Sequence, residues 1–165
     1  MRARVRALIN LDSARFRFLY RESEGVIGGR EWALASLGPV GIALVVTIVA
    51  FAIAPNAPRD LAREAFIDPL TVVRHAYLIV YAFALILCAV AEYFVSAKRF
   101  ADRGKPPALA GLAPFSLLIA GAAYWYQPRS EGTMPEGLVT AFAALAVAVL
   151  AWNVIELGFG ASRRR

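Results

Sequence analysis

The chain has 165 residues, 59% of them hydrophobic, and a formal net charge of +6. Its mean hydropathy of +0.58 lies far outside the usual balance of soluble proteins, which excludes an ordinary soluble domain. The single cysteine, Cys88, excludes a disulfide within the chain.

The N-terminal segment, residues 1–24, is predicted to be a basic amphipathic arm. On a helix its apolar side chains share one face: Ala7, Leu8, Leu11, Ala14 and Phe18. A helix of this kind lies on the surface of an anionic membrane leaflet. Anionic lipids of the inner leaflet are therefore expected partners, and a partly disordered arm is the alternative.

Four long stretches that are poor in charged residues follow the arm, and each predicts a transmembrane helix. A helix needs about 20 mostly apolar residues to cross a hydrocarbon layer of about 30 Å. The expected spans are residues 31–54, 69–97, 108–127 and 135–158. The prediction is an all-α membrane protein with one transmembrane domain, residues 1–165, packed as a four-helix bundle.

The helix that contains the second span has the clearest start and stop signals. Asp68 followed by Pro69 is typical of a helix N-terminus, and Gly104 followed by Pro106 is typical of a C-terminus. About 34 residues at 1.5 Å each make a helix of about 50 Å. Because this exceeds the bilayer thickness, the helix is predicted to project into the cytoplasm.

Basic residues are distributed unevenly along the chain. Of the 18 Lys and Arg residues, 14 lie in residues 1–30, in residues 98–105, or in the C-terminal tail. Lys and Arg concentrate in cytoplasmic loops, so both termini and the middle loop are predicted to be cytoplasmic. This placement accounts for the positive charge without nucleic acid, which is not expected as a partner.

Two carboxylates sit inside the predicted spans, and ionisable groups at that depth are costly and often functional. With two arginines they form the candidate set for intramembrane ion pairs or an ion site: Glu92, Glu156, Arg74 and Arg99. Structural pairing with nearby basic residues is the favoured interpretation, and a proton or cation site is the alternative. Arg74 has Asp68, Glu64 or a lipid phosphate as expected partners.

No catalytic, cofactor-binding or metal-binding residues are predicted. The lone histidine, His75, has no second His and no cysteine cluster with which to hold a metal ion. Ser116 and Ser130 have no histidine on the same side of the predicted membrane, so a nucleophilic enzyme is not expected.

Two stretches carry a family resemblance. One enters the first span and the other follows the second: Gly25-Val-Ile-Gly-Gly-Arg30-Glu31-Trp32 and Lys98-Arg99-Phe100-Ala101-Asp102-Arg103-Gly104-Lys105-Pro106-Pro107. Together they resemble the YhaH-like family of small bacterial inner-membrane proteins, which have four helices and no assigned activity. The family's His is Ala101 here, and its Ser-Gly is Pro106-Pro107. The resemblance implies a bacterial inner-membrane location.

The charged residues of the two stretches predict a cytoplasmic collar that ties the arm to the long second helix. Its members are Arg30, Glu31, Arg99, Asp102 and Arg103. Such a collar would place opposite charges beside one another where the helices leave the membrane.

Two functions remain. The favoured one is a structural or accessory subunit, or interaction protein, of a bacterial inner-membrane complex. It would bind other membrane subunits, or a second copy of this chain, through helix packing and a basic cytoplasmic surface. The alternative is a small ion or solute transporter, a channel, or a regulator of one, using Glu92 and Glu156. The span centres are almost purely Ala, Val, Leu, Ile and Phe, which favours the subunit.

Overall fold

The computed structural model describes residues 13–53, 69–127, 130 and 133–161, and within these ranges it is helical with no strand. The helices are α1 (residues 13–20), α2 (Gly29–Ile53), α3 (Pro69–Asp102), α4 (Leu112–Tyr126) and α5 (Glu136–Val154). A 3₁₀ turn, Pro107–Gly111, precedes α4, and a π-helical turn, Ile155–Phe159, follows α5. The predicted all-α fold is confirmed.

Four helical segments are long and apolar enough to span a membrane: Gly29–Ile53, Val72–Asp102, Pro107–Tyr126 and Glu136–Phe159. The four predicted spans are therefore confirmed, and the chain is a multi-pass membrane protein by the length and composition of its helices. α3 runs from Pro69 to Asp102, as its start and stop signals predicted, so this helix continues beyond the membrane span that was predicted to end at residue 97.

Gly104 ends α3 in the manner predicted from the sequence. Its φ of 68° is left-handed, a conformation that glycine adopts without steric cost. The Lys105 N–H donates to the Phe100 carbonyl and the Gly104 N–H to the Ala101 carbonyl, each at 2.9 Å. These two bonds form a Schellman motif, which satisfies carbonyls that the end of a helix leaves free.

The helices pair into two hairpins, α2 with α3 and α4 with α5. The first is antiparallel, since residues late in α2 contact residues early in α3. The Tyr77 hydroxyl donates to the Val46 carbonyl at 2.8 Å, and the hydroxyls of Thr47 and Tyr81 are 3.2 Å apart. Interhelical hydrogen bonds of this kind help to hold helices together in lipid.

The hairpins are joined at one end of the molecule, so the structure is more open than the predicted four-helix bundle. The contacts between hairpins concentrate where the π-helical turn meets α2 and the 3₁₀ turn meets α3. Further along the spans, Phe83, Leu118 and Val147 are each 65% exposed. Lipid is as apolar as these side chains, so burying them against one another has no hydrophobic driving force.

We call the joined end the collar end. It holds the start of α2, the end of α3, the 3₁₀ turn and the π-helical turn, and the hydrophobic core lies there. Phe100 of α3 is fully buried, and its ring stacks on Trp152 with centroids 5.7 Å apart.

The described part of the arm is helical, and Leu19 of α1 is buried in this core. The predicted amphipathic helix is thus found for residues 13–20, where it packs on the protein itself. Residues 1–12 lie outside the described residues.

Candidate functional site

Charged side chains at the collar end contact backbone atoms as well as each other, and all but Lys105, which is 40% exposed, are buried or half-buried. We call this set the buried polar layer: Lys98, Arg99, Asp102, Arg103, Lys105 and Glu156. Lys98 is 0% exposed and Arg99 is 2% exposed, although Lys and Arg are almost never fully buried unless they are paired. The hydrogen bonds and ion pairs of each cation therefore show which segments of the chain it holds together.

Lys98 fastens the arm to α3. Its Nζ donates to the carbonyls of Leu19 and Phe94, each at 3.2 Å, and to the carbonyl of Glu22. The Nζ also lies 5.1 Å from the centroid of the Phe18 ring, within the range of a cation–π interaction. Leu19 and Glu22 belong to the end of α1 and the turn after it, where carbonyls lack helical partners. A single buried ammonium group thus caps α1.

Arg99 joins the two hairpins. Its Nε donates to the Leu157 carbonyl at 2.9 Å and its Nη2 to the Gly160 carbonyl at 2.6 Å. Its Nη1 forms an ion pair with Asp102, one turn along α3. The guanidinium presents several donors in one plane, so it can satisfy carbonyls and a carboxylate together. Because Leu157 and Gly160 follow α5, this side chain fixes the second hairpin on the first.

Glu156 forms the ion pairs that the sequence favoured. Its Oε1 lies 3.0 Å from Nη2 of Arg103 and 2.5 Å from Nζ of Lys105. Arg103 also donates from Nη1 to the Glu156 carbonyl. Arg103 thus binds both the side-chain carboxylate and the backbone carbonyl of Glu156. These contacts reinforce the junction between the end of α3 and the π-helical turn.

Glu92 has hydroxyl donors in place of the basic partner that was expected. Its Oε1 accepts from Ser36 at 3.0 Å and from Ser96 at 2.9 Å, and Trp32 donates to Ser96 at 3.1 Å. The other carboxyl oxygen is buried and has no hydrogen-bond partner among the described residues. The basic residues one or two turns further along α3 bind other groups. Lys98 donates to carbonyls at the end of α1 and in the turn after it, and Arg99 donates to carbonyls that follow α5.

Tyr20 connects the arm to α2 near this carboxyl group. Its hydroxyl donates to the Ala35 carbonyl at 2.8 Å. Burial raises the pKa of Tyr20, and the negative charge of Glu92 raises it further. The arm, α2 and α3 therefore meet around the Glu92 side chain.

The remaining predicted residues lie apart from the buried polar layer. Arg74 is 25 positions before Arg99 on the same helix, a separation of about 37 Å at 1.5 Å per residue. Its expected partners Asp68 and Glu64 lie outside the described residues. Arg30 is exposed, and Glu31 forms a surface ion pair with Arg15 at 3.0 Å. The predicted collar is thus divided into a buried part on α3 and an exposed part on α2.

Sequence reasoning missed the role of Lys98 and the two serines around Glu92. The signal for Ser96 was local, because it is one helical turn from Glu92 and such residues are neighbours. Lys98 and Ser36 gave no such signal, since their partners lie 79 and 56 positions away in the chain.

Position 160 must be a glycine because the Arg103 side chain occupies the space that a Cβ atom would take. A Cβ at Gly160 would overlap the Arg103 guanidinium and lie 2.5 Å from the Glu156 carbonyl oxygen. We expect Gly160→Ala to lower the free energy of unfolding by about 1 to 3 kcal/mol, the usual cost of overpacking. The matched control is Gly158→Ala, whose Cβ would meet Trp32 at an ordinary 3.6 Å. Thermal unfolding in detergent compares the two, and an equal loss for Gly158→Ala would contradict this explanation.

The buried polar layer makes ion pairs and hydrogen bonds between segments of the chain. Among the described residues, no group of three or more His, Cys, Asp or Glu side chains could hold a metal ion. Comparisons with family models, with curated proteins and with solved structures each found no match for this chain.

Proposed function

We propose that this chain is an accessory or interaction protein of a bacterial inner-membrane complex, acting through contact between its helices and other membrane subunits. The observation that carries the proposal is the junction of two hairpins at one end, with exposed side chains along the rest of each span. Membrane helices associate by close packing. Two hairpins that are joined only at the collar end offer more helix surface for such packing than a closed four-helix bundle does.

The contacts of the buried polar layer support this function. Lys98, Arg99 and Arg103 all donate to carbonyls of other segments. Their positive charges are thus used to hold the arm and the second hairpin against α3. A side chain committed to such contacts stabilises a fixed arrangement and is poorly placed to bind and release a substrate.

The proposed location is the bacterial inner membrane, with the collar end in the cytoplasm. The start of α2, the end of α3 and the end of the π-helical turn meet at that end, so the two described chain ends share one side. The excess of basic residues there favours the cytoplasmic side. The resemblance to the YhaH-like family agrees with this location.

Co-purification tests the proposal. The tagged chain is extracted from its native membrane in mild detergent, and bound proteins are identified by mass spectrometry. We expect defined membrane subunits or a second copy to be retained.

Ala148 of α5 is exposed, and small exposed residues let helices approach closely. Ala148→Leu should reduce the retained partner.

The matched control is Ala143→Leu, an identical change at an exposed position on a different face of α5. A chain that purifies as a monomer and moves an ion across proteoliposomes would overturn the proposal.

A transport function is the second candidate because Glu92 has a buried carboxyl oxygen with no hydrogen-bond partner among the described residues. Ionisable residues at membrane depth commonly mark ion pathways. We expect no difference in proton or sodium flux between proteoliposomes with the wild-type chain and with Glu92→Gln. A flux that requires Glu92 would favour the transporter.

A further inference from the structure

A cleft of about 650 Å³ opens between α1 and the first turns of α2. Charged and apolar residues both line it. We call the charged ones the rim (Arg15, Arg30 and Glu31) and the large or buried apolar ones the wall (Leu19, Leu34 and Ala35). No member of the buried polar layer lines it. The cleft is therefore separate from the contacts that hold the hairpins together.

Counted over the described residues, the rim carries one positive charge in excess. Arg15 and Glu31 neutralise each other in an ion pair of 3.0 Å. Arg30 is exposed and makes no ion pair with the other described residues. Two arginines and one glutamate leave a net charge of +1 at the mouth of the cleft. An anionic group could approach Arg30 without breaking an ion pair between described residues.

The wall of the cleft continues into the apolar surface of a membrane-spanning helix. Leu34 is 61% exposed and Leu37, the next residue along this side of α2, is 67% exposed. Residues three apart on a helix are neighbours on its surface. A positive rim therefore lies at one end of an apolar stripe, and the stripe runs along α2 into the expected hydrocarbon region.

We propose that this cleft binds an anionic phospholipid, with the phosphate at Arg30 and an acyl chain along Leu34 and Leu37. The inference rests on the proposed orientation, which places the collar end at the anionic leaflet. A free phosphate ion would use the charge but gain nothing from the apolar wall. A lipid uses both features, and its headgroup would lie between the arm and α2.

The test is native mass spectrometry of the full chain in detergent, titrated with phosphatidylglycerol. Arg30→Gln removes the charge at the rim, and we expect apparent affinity to fall about fivefold, the usual contribution of one basic residue near a membrane surface. The matched control is Arg17→Gln. Arg17 is also an exposed arginine but does not line the cleft, so its loss should change affinity less than twofold. Arg30→Lys should keep most of the binding.

Three outcomes would overturn the inference. Equal losses for the Arg30 and Arg17 variants would show diffuse attraction to the basic surface. Displacement of the lipid by millimolar inorganic phosphate would show a small-anion site. Equal affinity for phosphatidylcholine, which has no net charge, would show a nonspecific apolar contact. Co-purification of partners with Arg30→Gln is measured in parallel, so failure of the lipid site is distinguished from failure of the proposed function.

Discussion

Replacing Arg99 with alanine is expected to lower the free energy of unfolding by about 3 to 5 kcal/mol, the cost of removing one partner of a buried ion pair. The change removes the cation that pairs with the buried Asp102 carboxylate in the Arg99–Asp102 ion pair. It also removes the donors to the carbonyls of Leu157 and Gly160, which hold the second hairpin. We expect this variant to unfold at a markedly lower temperature in detergent.

Glu92→Gln is the comparison for this prediction. A glutamine keeps a carbonyl oxygen that accepts from Ser36 and Ser96, so the loss should be about 1 kcal/mol or less. Adding Asp102→Asn to Arg99→Ala should recover part of the stability that Arg99→Ala loses, because position 102 then carries no buried negative charge. Equal or reversed losses for the two single variants would contradict the assigned role of Arg99.

Lys98→Met is expected to release the arm and to cost about 2 to 3 kcal/mol, because hydrogen bonds from charged groups contribute more than neutral ones. Methionine fills the buried space without donating to Leu19, Glu22 or Phe94. The exposed arginines of the arm, Arg17 and Arg21, should then become faster sites of trypsin cleavage.

Lys105→Met is the matched control for the Lys98 variant. It removes a lysine that pairs with Glu156, at the junction between the end of α3 and the π-helical turn. Limited proteolysis followed by mass spectrometry compares the two variants. Cleavage of the arm at the same rate in both would show that Lys98 does not fasten α1.

The spans and the end of α3 could be predicted because their signals are local. An apolar stretch of sufficient length predicts a membrane helix, and Gly104 followed by Pro106 predicts a helix end, which the left-handed φ of Gly104 forms. The pairing of Glu156 with Arg103 was also accessible, since both were predicted to lie near the cytoplasmic interface, whereas the second partner, Lys105, was not predicted.

The rest of the site depends on which helices meet, and a single sequence does not contain that information. Glu92 lies within two turns of Lys98 and Arg99, so ion pairing was the natural expectation. The structure instead supplies Ser36 from α2, and Lys98 binds carbonyls 76 and 79 positions away. The open arrangement of the hairpins was equally inaccessible, because apolar spans pack in many ways with similar energy in lipid.

Photo-crosslinking in the native membrane tests the central claim most directly, which is that the exposed faces of the hairpins contact other proteins. A benzoylphenylalanine replaces Phe83 on α3 or Leu118 on α4, each 65% exposed. It replaces Trp152, which stacks on Phe100, as the inward-facing control. The account predicts a discrete adduct with another membrane protein or a second copy at position 83 or 118, and none at 152. Adducts with lipid alone at both exposed positions would contradict it.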